Sequence, residues 1–169
     1  MTSTPREAAT AQASRLQEEL RQTRPFRSRT QEAFLSILRT GDLAKNRFSD
    51  LFAAHEVTFQ QYNVLRILRG ARPQGLPTLE IGERMIERTP GVTRILDRLE
   101  GKGWVSRERC SEDRRKVWCR ITPTGLELLD VLDKPVDEGD AAIFSEMSES
   151  DLDELIRILD ALRERLSRA

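Results

Sequence analysis

The stretch from residue 89 to residue 121 constrains the fold of this chain more than any other part of its sequence. Its first half carries apolar side chains at helical spacing, at Val92, Ile95, Leu96 and Leu99. Its second half alternates apolar with polar residues on both sides of a charged turn, which is typical of a β-hairpin. The pattern predicts an amphipathic helix that is followed directly by a hairpin.

The predicted helix has a polar face that suits nucleic acid. Thr89 is a good N-cap, Pro90 suits the first helical position and Gly103 suits the stop. At 100° per residue, the side opposite the apolar stripe carries Pro90, Thr93, Arg94, Asp97 and Arg98. Small residues and arginines near a helix N-terminus suit phosphates and base edges. Thr89 and Thr93 are therefore candidates for phosphate contacts, although Thr89 serves first as the cap.

Arg94 and Arg98 are the leading candidates for contact with bases or phosphates. Arg98 has an alternative role, because it could pair with Asp97 or Glu100 and serve only the fold.

The predicted hairpin starts at Val105 and turns at residues 111–114, and its second strand ends at Ile121. Its tip carries an acid and three consecutive cations, Asp113, Arg114, Arg115 and Lys116. Cations at the tip of a hairpin predict a wing that reaches a DNA groove or the DNA backbone.

Helical patterns precede this segment. An apolar stripe of period 3.6 extends over residues 30–52, and a second helix is capped by Thr58 with Gln61 and stops near Gly70. A loop at residues 71–77 leads to a short third helix. The order of elements predicts a mainly α fold with a small β-hairpin wing, which is a winged helix-turn-helix.

The predicted organisation has three parts. Residues 1–29 form an N-terminal arm, and residues 57–121 form the winged helix-turn-helix. Residues 30–56 and 122–169 form a helical dimerisation region within the same compact fold.

The C-terminal helix, which Ser148 and Asp151 cap, carries a seam of leucines. They alternate steps of three and four residues, at Leu152, Leu155, Leu159, Leu162 and Leu166. This spacing predicts a dimerisation surface. The same leucines could pack on the first helix of their own chain, and the two arrangements are compatible.

Charge is unevenly distributed along the chain although it sums to zero. Residues 1–83 carry 12 cations and 9 anions, residues 84–120 carry 11 and 6, and residues 121–169 carry 5 and 13. A basic segment next to an acidic one suggests a surface made for an anion. The plainer interpretation is that each run of charge is a solvated face.

The run from residue 89 to residue 125 resembles the DNA-binding core of the MarR family of bacterial transcriptional regulators. The matching pattern is Asp97-Arg98-Leu99-Glu100, Lys102-Gly103, Asp113-x-Arg115 and Ile121-Thr122-x-x-Gly125. The resemblance implies a homodimeric repressor that binds a pseudo-palindromic operator in double-stranded DNA. It also implies release by a small aromatic or anionic effector, or by cysteine oxidation. It further implies that Arg115 enters the minor groove and that Asp113 orients it.

Other classes of function have less support. No glycine-rich phosphate loop or catalytic constellation is present, so we expect neither an enzyme nor a cofactor. His55 and two cysteines do not supply a four-ligand zinc site, so we expect no metal. Cys110 and Cys119 leave open a redox-sensing regulator, because Arg109 and Arg120 beside them could favour thiolates. A winged-helix protein-interaction module without DNA binding also stays open.

The chain has no run of 18 apolar residues and no signal-peptide core. We therefore expect a cytoplasmic protein without membrane contact.

Overall fold

The structure is a computed structural model, and it describes residues 14–88, 90–109 and 116–168. The chain divides into two compact units, Met1–Asn46 and Arg47–Ala169. Most of the described residues are helical and the strands form one small antiparallel sheet, which confirms the predicted fold class. No helix in the described ranges is both long and apolar enough to cross a membrane.

The first unit contains the short helix α1 (Arg15–Glu19) and most of the long helix α2 (Arg29–Arg47). Ser14 caps α1 by accepting a hydrogen bond from the backbone N–H of Gln17. No residue of α2 is buried, and its large apolar side chains stay exposed, at Phe34, Ile37, Leu38 and Leu43. Packing of an apolar face supplies most of the stability of a helix in a protein. In α2 this apolar face is not covered.

The first long helix ends earlier than its apolar stripe predicts. The structure ends α2 before Phe48 and starts a new helix, α3 (Ser49–Ala54), directly after it. Phe48 has φ −99° and ψ 0°, and its ring packs 6.0 Å from the ring of Phe52 in the core. No glycine or proline marks this position, so the sequence carries no local signal for the break.

The second unit holds α3, α4 (Phe59–Gly70), β1 (Leu76–Pro77), α5 (Thr78–Arg84), α6 (Val92–Gly101), β2 (Val105–Arg109), β3 (Val117–Ile121), α7 (Pro123–Ile143) and α8 (Glu149–Ser167). The sheet is antiparallel and has the strand order β1-β3-β2. Val105 pairs with Ile121 and Arg109 with Val117, which confirms the predicted hairpin.

The third strand, β1, lies in the segment that the sequence patterns assign to a loop. Leu76 pairs with Cys119 and Pro77 with Trp118, and two residues are too few to show alternation. Gly75 permits the close approach of the two strands. It has φ +77°, and a Cβ at this position would lie 2.3 Å from the carbonyl oxygen of Cys119.

A single hydrophobic core joins the winged helix-turn-helix to α7. Its fully buried side chains are Val64, Leu65, Leu68, Ile81, Leu96, Leu99, Val105, Cys119, Leu129 and Leu132. Burial of each leucine contributes roughly 1.5–3 kcal/mol. The core therefore fixes the orientation of α4, α5, α6 and the sheet.

The helix caps agree with most of the sequence signals. Both predicted capping boxes are present, at Thr58 with Gln61 and at Ser148 with Asp151. Gly70 is the last helical residue of α4, which confirms the predicted stop, and the next residue caps the helix at φ −98°. A cap with negative φ does not require glycine.

An ion pair ties α4 to α7. Arg69 donates two hydrogen bonds to the carboxylate of Asp133, at 2.7 and 3.0 Å. The hydrogen bond with Arg69 lowers the pKa of Asp133, and the same bond raises the pKa of Arg69. The side chains are 30% and 39% exposed, so solvent screens part of this attraction.

We expect Asp133→Asn to lower the free energy of unfolding by about 1 kcal/mol. Because folding lowers the pKa of this carboxyl group, its contribution is present above the unfolded pKa of roughly 3.9. It is lost as the pH falls through the lower folded pKa, so the difference in Tm between variant and parent should shrink in acid. Calorimetry across this pH range measures the difference.

The matched control is Glu138→Gln. Glu138 forms an exposed pair with Lys134 at 3.8 Å, so its removal should change stability by less than about 0.5 kcal/mol. Equal losses in the two variants would contradict a specific role for the bridge between Arg69 and Asp133.

Candidate nucleic-acid interface

The orientation of α6 follows from its apolar stripe. Val92 and Ile95 are each 9% exposed, and Leu96 and Leu99 are fully buried, as the sequence predicts. The opposite side is exposed, at Thr93, Arg94, Asp97 and Arg98. The structure therefore confirms that α6 turns its polar face to solvent.

The start of α6 differs from the prediction. The helix begins at Val92 with Gly91 as its N-cap, and no side chain caps it. Pro90 belongs to the preceding turn, and Thr89 lies outside the described residues. The prediction of Thr89 as the cap and Pro90 as the first helical residue is thus wrong by two positions. Glycine is itself an accepted N-cap residue, and the Thr-Pro pair concealed that signal.

The end of α6 agrees with the prediction. Gly103 has φ +73° and completes a Schellman motif. In this motif the N–H of Trp104 donates to the carbonyl of Leu99 at 3.0 Å, and the N–H of Gly103 donates to the carbonyl of Glu100 at 2.9 Å.

Two polar side chains of α4 hold the turn between α5 and α6. Asn63 is only 9% exposed, and its Oδ1 accepts a hydrogen bond from the backbone N–H of Ile86 at 3.0 Å. Gln60 donates to Glu87 at 3.2 Å. Loss of a buried partner for a backbone N–H is costly, so Asn63 fixes this turn. The sequence patterns miss Asn63, whose only signal is a polar residue beside an apolar stripe.

Arg94 and Arg98 are available to a ligand. Neither guanidinium has an ion-pair or hydrogen-bond partner among the residues that the structure describes. The alternative in which Arg98 pairs with Asp97 or Glu100 is not adopted there, because both carboxylates pair with Arg107.

Arg107, on β2, links the wing to α6. Its Nη1 lies 2.8 Å from Oδ1 of Asp97, while its Nε and Nη2 donate to Oε2 of Glu100 at 2.9 and 2.5 Å. The hydrogen bonds with Glu100 raise the pKa of Arg107 most, and the hydrogen bond with Asp97 raises it further. The sequence patterns do not single out Arg107, because the contact joins a strand to a helix and has no helical spacing.

The described part of the wing includes its root and Lys116. Lys116 is exposed just before β3. Arg120 donates to Glu108 on the facing strand at 2.9 Å. Three of the residues predicted for the tip, Asp113, Arg114 and Arg115, lie outside the described residues.

Hydrogen bonds connect the residues that follow α6, Gly103 and Trp104, to the start of α7. Thr122 caps α7 by accepting a hydrogen bond from the N–H of Gly125 at 3.1 Å. The backbone N–H of Thr122 donates to the carbonyl of Trp104 at 3.0 Å, and the hydroxyl of Thr124 donates to the carbonyl of Gly103 at 2.8 Å. A Cβ on Gly125 would lie 2.4 Å from the carbonyl oxygen of Trp104, so the close contact requires glycine.

Cys119 lacks the environment of a reactive thiol. It is fully buried, and burial raises the pKa of its thiol, although a hydrogen bond with Thr78 and the charge of Arg107 act in the opposite direction. The expectation of a favoured thiolate is therefore wrong for Cys119. Cys110 lies outside the described residues. In the described ranges, no group of three or more His, Cys, Asp or Glu side chains could hold a metal ion.

The leucine seam of α8 is incompletely covered. No residue of α8 is buried, and Leu166 is 69% exposed. The other four members are partly exposed, at Leu152, Leu155, Leu159 and Leu162. The seam is thus an apolar surface that has room for a further packing partner.

Comparisons with known proteins agree with one another. The MarR family model matches residues 57–117. The chain is 26% identical over 136 residues to the HTH-type transcriptional repressor YetL of Bacillus subtilis (strain 168), over 80% of this chain and 81% of that protein.

Solved structures give the same result. A MarR transcription factor from Planctomyces limnophilus is 40% identical, with a TM-score of 0.63 over 80% of this chain and 98% of that one. The S. aureus MepR–DNA complex has a TM-score of 0.70 at 22% identity, over 79% of this chain and 96% of that one, which shows a shared fold.

We expect Gly125→Ala to destabilise the protein by about 1–3 kcal/mol. The added methyl group would overlap the carbonyl oxygen of Trp104, which the hydrogen bond from Thr122 holds in place. Gly101→Ala is the control, since nothing lies within 4 Å of a Cβ at that position. Equilibrium urea denaturation should show a loss for the first variant alone. Identical midpoints for the two variants would contradict this prediction, because they would mean that the backbone at Trp104 moves aside at no cost in stability.

Proposed function

Since the chain belongs to the MarR family of DNA-binding transcriptional regulators, we propose that it acts in the cytoplasm as a homodimeric repressor of a pseudo-palindromic operator. The exposed face of α6 carries this proposal, because Arg94 and Arg98 are both exposed there without a partner in the described ranges. Unpaired guanidinium groups on a helix that the core holds rigidly suit a polyanion.

In the proposed complex, α6 enters the major groove. Arg94 and Arg98 contact guanine edges or phosphates, since a guanidinium can donate two parallel hydrogen bonds to either. Thr93, together with Thr89 and Pro90 before the helix, lies against the DNA backbone and sets the depth of insertion.

The wing makes the second contact with DNA. Arg115 enters the minor groove, where a narrow groove strengthens the negative potential, and Asp113 orients its guanidinium. Arg114 and Lys116 bind phosphates beside it.

Two incompletely covered helices support the homodimer. Neither α2 nor α8 contains a buried residue, although both carry large apolar side chains. In the proposal, residues 30–56 and 122–169 hold two copies together, and residues 57–121 of each copy bind DNA. The two copies of α6 must then lie about 34 Å apart to enter successive major grooves.

We further propose that a small aromatic or anionic effector releases the DNA. A cavity of about 330 Å³ has a lining that combines apolar surface with one cation and one carboxylate, from Arg47, Phe48, Leu51, Pro135, Glu138 and Gly139. A ligand there weakens DNA binding only if it favours a dimer whose spacing does not match the operator.

The experiment that tests the function is selection of duplexes from a random DNA library by the full-length protein. A regulator should enrich related sequences with twofold symmetry, and its affinity for them should fall steeply between low and physiological salt. A winged-helix protein-interaction module would enrich no sequence, and that outcome would refute the proposal. Small aromatic acids can then be screened for release of the selected duplex.

We expect Arg94→Ala to weaken binding of the selected duplex by about 1–3 kcal/mol, which is roughly five- to 150-fold, without a loss of thermal stability. Arg115→Ala should have a similar effect if it occupies the minor groove. Arg157→Ala is the matched control, because Arg157 pairs with Glu154 on α8. Fluorescence anisotropy measures all three, and equal affinities for the Arg94 variant and the control would remove α6 from the mechanism.

We expect Leu155→Lys combined with Leu159→Lys to dissociate the dimer, because the two lysines would carry charge into its apolar seam. Glu164→Lys is the control, since Glu164 lies about 160° around α8 from the centre of the seam. Sedimentation velocity should show monomers for the double variant alone. A dimer that survives both lysines would contradict the assignment of the seam.

A further inference from the structure

We propose that Arg107 is a positioning residue for DNA binding, which neutralises Asp97 and so keeps this carboxylate from opposing the contacts of Arg94 and Arg98. The inference rests on the proposed function, in which the exposed face of α6 meets DNA. Its own support is the bridge that Arg107 forms between β2 and α6.

Asp97 is an unfavourable residue for a surface that binds phosphates. It is 55% exposed, and it lies within about 30° of the centre of the exposed face of α6, between the two arginines in sequence. A free carboxylate there would repel phosphates. It would also be able to pair with Arg94, because the two lie three residues apart, the spacing at which opposite charges on a helix pair.

Arg107 removes both problems. Its Nη1 binds Asp97 at 2.8 Å, and this bond occupies the carboxylate with a guanidinium from another element. Among the described residues, Arg94 and Arg98 are then left without acidic partners. Arg107 on the strand thus pairs with the acid, and Arg94 and Arg98 on the helix stay available to DNA.

Glu100 has a different part in the bridge. It accepts two hydrogen bonds from Arg107, at 2.9 and 2.5 Å, and it lies about 90° round α6 from the centre of the exposed face. Glu100 therefore anchors the guanidinium on the flank of the helix, whereas Asp97 is the charge that the guanidinium neutralises. Arg107 itself is only 23% exposed, which is consistent with a supporting place behind the contact surface.

The test is a set of double variants, measured by fluorescence anisotropy on a duplex that the parent protein selects. Arg107→Gln should weaken binding about tenfold and flatten its salt dependence, since an unpaired carboxylate repels phosphates most strongly at low ionic strength. Adding Asp97→Asn to Arg107→Gln should restore both the affinity and the salt dependence to within about threefold of the parent. Adding Glu100→Gln instead should restore neither.

Two controls separate this role from a structural one. Arg120→Gln removes a strand arginine that pairs with Glu108 and not with α6, so Asp97→Asn should not improve its binding. Thermal unfolding of each variant shows whether any loss of affinity follows a loss of stability. If Arg107→Gln does not fold, the same set built on Arg107→Met, which also removes the charge but keeps an apolar side chain of similar length against the helix, gives the comparison.

The outcomes are distinct. Rescue by Asp97→Asn alone supports the inference, and it is overturned if the changes are additive or if the Asp97 and Glu100 variants rescue equally. A parent protein that selects no duplex overturns the proposed function and this inference with it. A parent that binds normally while the cycle is additive overturns this inference alone.

Discussion

Burial of one side of α6 is the constraint on which the whole interface depends. Leu96 and Leu99 are fully buried, and exposing either would cost roughly 1.5–3 kcal/mol. A rotation of α6 large enough to turn Arg94 or Arg98 inward would expose these leucines and also desolvate a charge. The same residues that complete the core therefore determine which side chains face solvent. No separate interaction is needed to keep the arginines outside.

The contacts around α6 limit how such a protein can be regulated. Asn63 holds the turn before the helix, Gly103 closes its end, and Arg107 fixes its flank. Changing the shape of α6 would break several of these contacts at once. The helices α2 and α8, by contrast, contain no buried residue within one chain. In the proposed dimer, an effector would therefore act more easily by moving one intact DNA-binding part relative to the other than by remodelling α6.

Much of this structure could be predicted from the sequence, because periodicity and caps are local signals. The stripe of α6, the hairpin and the capping box at Thr58 all agree with the structure. The sequence missed β1, which exists only through its pairing with β3, and the bridge of Arg107, which joins elements without a fixed spacing. It also misplaced the start of α6, where two acceptable caps compete. Contacts that form only when separate helices and strands pack together leave no local pattern in the sequence.

Zero net charge is compatible with DNA binding because ion pairing is local. Much of the acidic C-terminal charge lies on α8, where neighbouring pairs such as Glu154 with Arg157 form within the helix. Exposed charges separated by more than about 8–10 Å are largely screened at physiological salt. What a phosphate meets is therefore decided by the few charges near it. On α6 these are Arg94 and Arg98, which have no ion-pair partner in the described part of the chain, and Asp97, which Arg107 already binds, so the surface is cationic even though the chain is neutral.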